Sequence, residues 1–222
     1  MKIRRGFKLA GHLFDFHVQK LPPLYTIGIT NETEDCYFIP FLDLDNIYRE
    51  VALKYIHLAQ REFDLSPFIL LSSSGEQTDD VGRTFGNYIA IGFDKLKYHD
   101  FVDLLRMLPV DELSIKMPRY YKYKSWVLRM SEKFDSAGNM IVDRPKYVMT
   151  IMPENRNYLE NHKHSESHFY FLQKLFKFRR FKLNLDGYSE LTLIRYNTRG
   201  KHKFKPKSQV KYIQSLKDMK NL

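Results

Sequence analysis

Apolar positions along this chain gather into short dense runs, each closed by a proline, a glycine or a polar cluster. PPLYTIGIT, at 22–30, reads as a strand after a proline stop, NETED as a turn, and CYFIPFLDLD as a second strand spaced to form a β-hairpin with the first. The period then changes. Across NIYREVALKYIHLAQREFDL, the residues Ile47, Val51, Tyr55, Leu58 and Phe63 recur at helical spacing, which predicts an amphipathic helix ended by Pro67. FILLSSSG follows as a nearly continuous apolar strand, and GEQTDDVGRTFGN, with three glycines and little apolar material, as a loop. YIAIGF is a further strand, and YHDFVDLLRML a second helix closed by Pro109.

Beyond Pro109 the pattern favours strands again. VDELSIKM reads as a strand or an irregular link, KSWVLRMSEK as a strand, DSAGNM as a turn, and PKYVMTIM as a strand hairpinned with the one before. HFYFLQKLFKF fits either a helix capped by Ser165 or Ser167 or a strand, because aromatic and basic residues alternate in it. YSELTLIRYN is strand-like, and the tail begins as a basic arm that finishes in a short helix. Strands interleaved with two helices predict an α+β (mixed α/β) fold with a central mixed sheet flanked by helices. The expected division is a compact core over 1–152 and a basic, aromatic-rich C-terminal extension over 153–222 packed on it.

Composition narrows the class of partner. Lys and Arg outnumber Asp and Glu by ten (36 − 26), and the basic excess is concentrated late, whereas 31–50 is acidic. Interleaved cations and aromatic rings suit a polyanion, because cations displace counterions while rings stack on bases. The competing reading is an ordinary solubilising surface. No apolar run approaches the ~20 residues that span a bilayer, so no membrane partner is expected. His12, Asp15, His17 and Lys20 interrupt any signal-like stretch, which points to a soluble, intracellular (cytoplasmic) protein. The single cysteine, Cys36, excludes an internal disulfide and reads as a structural thiol.

Three short features carry candidate chemistry. On a regular strand Asp43 and Asp45 would share a face, and two adjacent carboxylates are relieved by a divalent cation such as Mg²⁺ or Mn²⁺ or by protonation. The alternative makes Asp45 the N-cap of the following helix. Next, the hydroxyls and backbone of SSSG, with Ser72 and Ser74, can bind phosphate, or form a plain solvated turn. Arg129 projects from an otherwise buriable strand and needs a partner, either a triphosphate or an acidic side chain.

In that order, LDLDN, ILLSSSG before GNYIAIGF, and VLRMSEK resemble the archaeo-eukaryotic primase (primase-polymerase) superfamily over residues 24 to about 152. The resemblance implies a small DNA or RNA primase-polymerase of a plasmid, virus or archaeal-type replicon, a nucleotidyltransferase acting in DNA replication. It implies Asp43 and Asp45 as metal ligands and catalytic residues with Asp111 as the third acid, Glu112 being its neighbour and alternative. Ser72, Ser74, Asn87, Arg129 and Lys133 would hold the nucleoside triphosphate, with Mg²⁺ or Mn²⁺ as cofactor and single-stranded DNA or primer-template as partner. Asn87-Tyr88 stands where the family places a histidine, which motivates the alternative of a catalytically degenerate nucleic-acid-binding replication initiator.

Two later clusters complete the inventory. His162, His164 and His168 suggest zinc ligands or, with Tyr121 to Lys124, a rolling-circle-type nuclease, but neither spacing nor order matches, so a solvated loop is expected. KLFKFRRFKLN and RYNTRGKHKFKPK alternate Phe with cations, making Lys177, Arg179, Arg180, Arg199, Lys201 and Lys203 candidate contacts to a nucleic-acid backbone. The same alternation also describes a solvated basic face over a phenylalanine core.

Overall fold

The computed structural model describes residues 2–9, 12–19, 25–33, 35–110, 126–134, 139–187, 191–197 and 211–213. Its described part has the expected α+β class, but the central sheet is antiparallel throughout rather than mixed. The chain opens with a hairpin of β1 (Lys2–Leu9) and β2 (His12–Gln19), in a stretch where the sequence pattern had predicted no element. Next, β3 (Tyr25–Thr30) joins a sheet whose order is β12 (Lys211–Ile213), β11 (Leu191–Asn197), β3, β7 (Val127–Arg129).

The central sheet has the order β10 (Lys146–Ile151), β5 (Phe68–Thr78), β6 (Thr84–Ile91), β4 (Phe41–Tyr48), and every neighbouring pair is antiparallel. β4 and β5 therefore run the same way with β6 between them, and helix α1 (Arg49–Glu62) carries the chain across. This is a split β–α–β unit. A small hairpin, β8 (Lys133–Phe134) with β9 (Met140–Val142), precedes β10.

Both faces of the central sheet are covered, which explains its near-continuous apolar runs. On one face Leu42, Leu44, Phe68, Leu70, Tyr88 and Ala90 meet Ala52, Ile56 and Ala59 of α1 and Phe101, Leu104 and Leu105 of α2 (Tyr98–Met107). The alternating residues Phe41, Ile69, Leu71, Ile89 and Ile91 cluster on the other face with Ile29, Leu128 and α4 (Glu166–Phe176), after the one-turn α3 (Tyr158–Asn161). Phe93, Phe169, Phe178 and Phe181 pack there with centroids 5.2–6.1 Å apart. The phenylalanines of KLFKFRRF thus face inward while Lys177, Arg179 and Arg180 are exposed.

Several expected pairings are replaced. β3 and β4 do not form a hairpin: they share one bridge, Glu32 to Phe38, and then part into different sheets. Pro40 supplies no N–H to continue the ladder, and its carbonyl instead accepts from Gly92 N (2.9 Å) beside β6. Buried Asn31 holds the junction: its Oδ1 accepts from Trp126 N (2.8 Å) and its Nδ2 donates to Ile39 O (3.2 Å). The predicted loop at 75–87 is mostly ladder, since β5 and β6 extend to a tight turn at 79–83. β10 pairs with β5 rather than with the strand of Arg129. Helix α1 begins at Arg49 after an extended Tyr48 with no side-chain cap, so Asp45 is not its N-cap. In the tail 211–213 is a strand rather than helix. The segment 111–125, with Asp111, Glu112 and Tyr121 to Lys124, lies outside the described residues, as do Arg199, Lys201 and Lys203. Cys36 is exposed in a left-handed turn (φ 63°), so it is no core thiol.

The histidine cluster is not a solvated loop. His164 and His168 are fully buried, with His168 on the first turn of α4 and His164 before it. Ser165 caps α4, settling the choice of cap and of element. His168 Nε2 donates to Thr30 O (2.9 Å) while Nδ1 accepts from Ser165 Oγ (2.7 Å), the tautomer these partners require. His164 Nδ1 accepts from Asn184 N (3.1 Å), which turns its Nε2 toward Asp94 at 3.3 Å. Asp94, itself buried, accepts from Ser66 N (3.1 Å) and Ser66 Oγ (2.7 Å), while His164 Nε2 lies beside it without a hydrogen bond. Lys95 bridges Asp186 (2.8 Å) and Asp35. Burial works to lower the Lys95 pKa, but those two hydrogen-bonded carboxylates outweigh it and raise it. These buried bonds fix α4 to the sheet.

Burial pushes the His168 pKa from 6.5 down to about 4. Its folded pKa lies below its unfolded one, so between those values the unfolded chain binds the extra proton. Stability contributed by neutral His168 is therefore complete above pH ~6.5 and is lost as pH falls toward 4. At 1.36 kcal/mol per unit the loss is roughly 3 kcal/mol. Urea denaturation at pH 7 and pH 4.5 should show it, and His168→Gln should be weaker at pH 7 but less pH-sensitive. An equal pH slope in both proteins would rule out this account.

Candidate functional site

The sequence features converge at one end of the central sheet, where its regular pairing breaks on both sides of β6. Between Leu44 and Ile47, β4 gains a residue against Tyr88–Gly86, and Asn46 takes a left-handed conformation (φ 52°). Between Ser72 and Glu76, β5 gains two residues against the same stretch, with Gly75 at φ 91°. Asn87 thus faces a bulge on each flank. Bulges re-aim side chains and leave backbone groups off the ladder.

Asn87 ties the two bulges together. Its Oδ1 accepts from Asn46 N (2.7 Å) and its Nδ2 donates to Ser74 Oγ (3.1 Å), while its carbonyl accepts from Ser73 Oγ (3.3 Å). Below them a polar brace holds the β5 bulge. Arg49 grips Glu76 bidentately (Nε–Oε1 2.9 Å, Nη2–Oε2 2.7 Å), and Tyr88 donates to Glu76 Oε1 at 2.7 Å. The hydrogen bond to Glu76 raises the Arg49 pKa, and burial, followed by that carboxylate, pushes Tyr88 to about 12. The phenol therefore stays a donor. Sequence reasoning missed this brace: nothing local in Arg49, Glu76 or Tyr88 says that their elements meet.

Asp43 pairs opposite Ile89 and so lies half-buried on the face covered by α4, not on the face of α1. Asp45 is exposed and falls inside the bulge, so the strict alternation that placed both carboxylates on one face ends between them. Ser72 pairs with Tyr88 on the α1 side, where its buried hydroxyl has no hydrogen-bond partner. It is therefore turned away from Asp43, and Ser73, the first residue of the bulge, is the serine whose carbonyl Arg129 reaches. Ser74 is exposed and held by Asn87. Lys133 is exposed on β8, opposite Val142.

Arg129 comes from the second sheet and closes the site from the side. Its Nη2 donates to Ser73 O (2.9 Å), and its Nη1 donates to Asp143 O (2.8 Å) and Ser131 O. Burial lowers its pKa, against the charges of Asp143, Glu132 and Asp43, the last of which places Asp43 within electrostatic reach. Three backbone carbonyls rather than an acidic side chain take its donors, leaving Nε and part of Nη2.

Two carboxylates are the ligand set from which Mg²⁺ is commonly held when substrate phosphates complete its shell. Asp43 and Asp45 supply two such carboxylates two residues apart, with the bulge lying between Leu44 and Ile47. Among the described residues no group of three or more His, Cys, Asp or Glu is arranged to hold a metal by itself, the buried histidines included. No described helix is long and apolar enough to cross a membrane. Comparison with family models, curated proteins and solved structures finds no match.

The bulge depends on one glycine. A Cβ on Gly86 would sit 2.9 Å from the backbone oxygen of Gly75, and neither atom belongs to a flexible side-chain tip. Gly86→Ala should cost about 1–3 kcal/mol in urea denaturation, the usual range for overpacking. A variant as stable as the parent would mean that the β5 bulge does not press on β6.

Proposed function

We propose that the protein is a metal-dependent nucleotidyltransferase of the primase-polymerase kind that adds nucleotides to a nucleic-acid strand. The observation that supports it is convergence: Asn87 from β6, Ser73 and Ser74 from β5, and Arg129 from β7 meet at one sheet end although they are far apart in sequence, and Asp43 stands on β4 just before the bulge that Asn87 faces. A divalent ion on Asp43 and Asp45 would supply phosphate-charge neutralisation and activation of a hydroxyl. In the reaction the 3′-hydroxyl attacks the α-phosphorus, forming the new P–O bond as the bond to pyrophosphate breaks. The Ser74 hydroxyl, which accepts from Asn87 and so keeps its own hydrogen, offers a donor to a phosphate oxygen, and the positive charge of Arg129 offsets the triphosphate's negative charge. Asn87 positions rather than reacts, because its amide is committed to both bulges.

A second reading, a strand-binding replication initiator without turnover, is favoured by a specific feature. Arg129 spends three donors on backbone carbonyls, and a neutral Asn stands where the resembled family has histidine. The two readings separate in one experiment. Under nucleotidyl transfer, Mn²⁺ and a nucleoside triphosphate together raise the melting temperature, and a primer-template is extended. The double variant Asp43→Asn, Asp45→Asn should lose extension by more than ~100-fold and lose the joint shift, while still binding nucleic acid. Extension at the parental rate by that variant would dismiss the metal pair. Absence of both extension and shift in the parent would favour the initiator.

A further inference from the structure

The register of the central sheet places one row of side chains across all four strands: Asp43 opposite Ile89, Ile89 opposite Leu71, and Leu71 opposite Tyr147. With neighbouring strands ~4.8 Å apart, Tyr147 lies about 14 Å from Asp43 on the same face of the sheet. It is on β10, the edge strand among the described residues. Its ring is 36% exposed yet fixed: the hydroxyl shares a hydrogen bond with Thr150 Oγ1 (2.9 Å), and the ring leans on buried Phe178 at 6.1 Å and 32°. An aromatic surface held rigid by two contacts has little rotamer freedom left to lose on binding.

The surroundings of that ring are cationic. Phe178 is flanked in the chain by exposed Lys177 and Arg179, and Tyr147 is preceded by exposed Arg144 and Lys146. Across 174–182 there are five cations and no acid. The nearest described carboxylate in this group, Asp143, is paired with Lys146 at 2.8 Å, so Arg144, Lys177 and Arg179 set the sign of the patch. On the inner side Arg129 reaches Asp143 O, which joins the β9–β10 connection to the Ser73 bulge. The cationic edge and the site are thus continuous through named contacts.

From this we infer that the Tyr147 edge binds single-stranded nucleic acid, with an unpaired base stacked on Tyr147 and Arg144, Lys177 and Arg179 pairing with phosphates. The chemistry selects single strands, because only an unpaired base presents its full face to a ring at a sheet edge. The inference rests on the proposed reading only for the direction of travel, toward Asp43; strand binding at Tyr147 stands or falls separately.

Fluorescence anisotropy with labelled oligo(dT), oligo(U) and a duplex, each about 20 units long to exceed the footprint of one stacking site, tests it. Parental protein should bind one or both single strands more tightly than the duplex, and the oligo(dT) and oligo(U) arms tell DNA from RNA. Tyr147→Ala should weaken single-strand binding about 5- to 100-fold, and Tyr147→Phe should restore it, since stacking needs the ring and not the hydroxyl. The pair Lys177→Gln, Arg179→Gln should flatten the slope of log affinity against log salt by about 1.4. Tyr147→Ala should keep the parental circular dichroism spectrum, which confirms folding and isolates the effect. Equal binding by Tyr147→Ala and parent, or tighter binding to duplex, overturns the inference whatever the outcome for nucleotidyl transfer. Loss of the joint shift in the Asp43→Asn, Asp45→Asn variant with single-strand binding intact supports both.

Discussion

A sheet buried on both faces is the constraint from which the rest of this protein follows. With α1 and α2 on one side and α4, Ile29 and Leu128 on the other, the halves of β4, β5 and β6 around Leu42, Leu70 and Ala90 have no solvent face. Apolar side chains are therefore required at successive positions, and polar chemistry is pushed to the strand ends. FILL and YIAI obey this rule over their whole length, and Ser72 shows its cost, a buried hydroxyl without a partner. Asp43 remains on the sheet only where burial is already incomplete.

The site is the place where that sheet stops being regular. Two bulges opposite one residue lift Asp45, Asn46, Ser73 and Ser74 off the ladder, so their groups are available for something other than strand pairing. Such a corner would be loose without support. Asn87 spans it from above, the Arg49–Glu76–Tyr88 brace holds it from below, and Arg129 clamps it from the second sheet. Hydrogen bonds to charged groups contribute more than neutral ones, which makes the brace a sensible way to hold a strained turn.

Buried polar networks elsewhere serve the same end by other means. The residues 162–168, which look on paper like a ligand cluster, are instead the fastening of α4: His168 to Thr30, His164 to Asn184, Glu166 to Asp186. Each partner lies far away in the chain, so each bond closes a long loop and fixes one layer on another. The cost of burying neutral imidazole is that acid, by protonating the unfolded chain first, works against the fold.

The chain's own pattern determined the elements whose signal is local. The helices at 49–62 and 98–107, the apolar strands before DLD and SSSG, and the α+β class all follow from periodicity, because a residue's neighbours along the chain suffice to bury or expose it. It also singled out Ser74 and Asn87, which bond to each other, and Arg129, which reaches the neighbouring Ser73 carbonyl. It misjudged partnerships that are settled across space. Pro40 diverts β4 into a different sheet from β3, the ladder pairing with Tyr88 turns Ser72 away, and Arg129 spends donors on carbonyls. The histidines looked solvated because nothing within a few residues reveals Thr30 or Asn184 as partners. Periodicity reports which side of an element is buried. Only the packed layers decide what it is buried against.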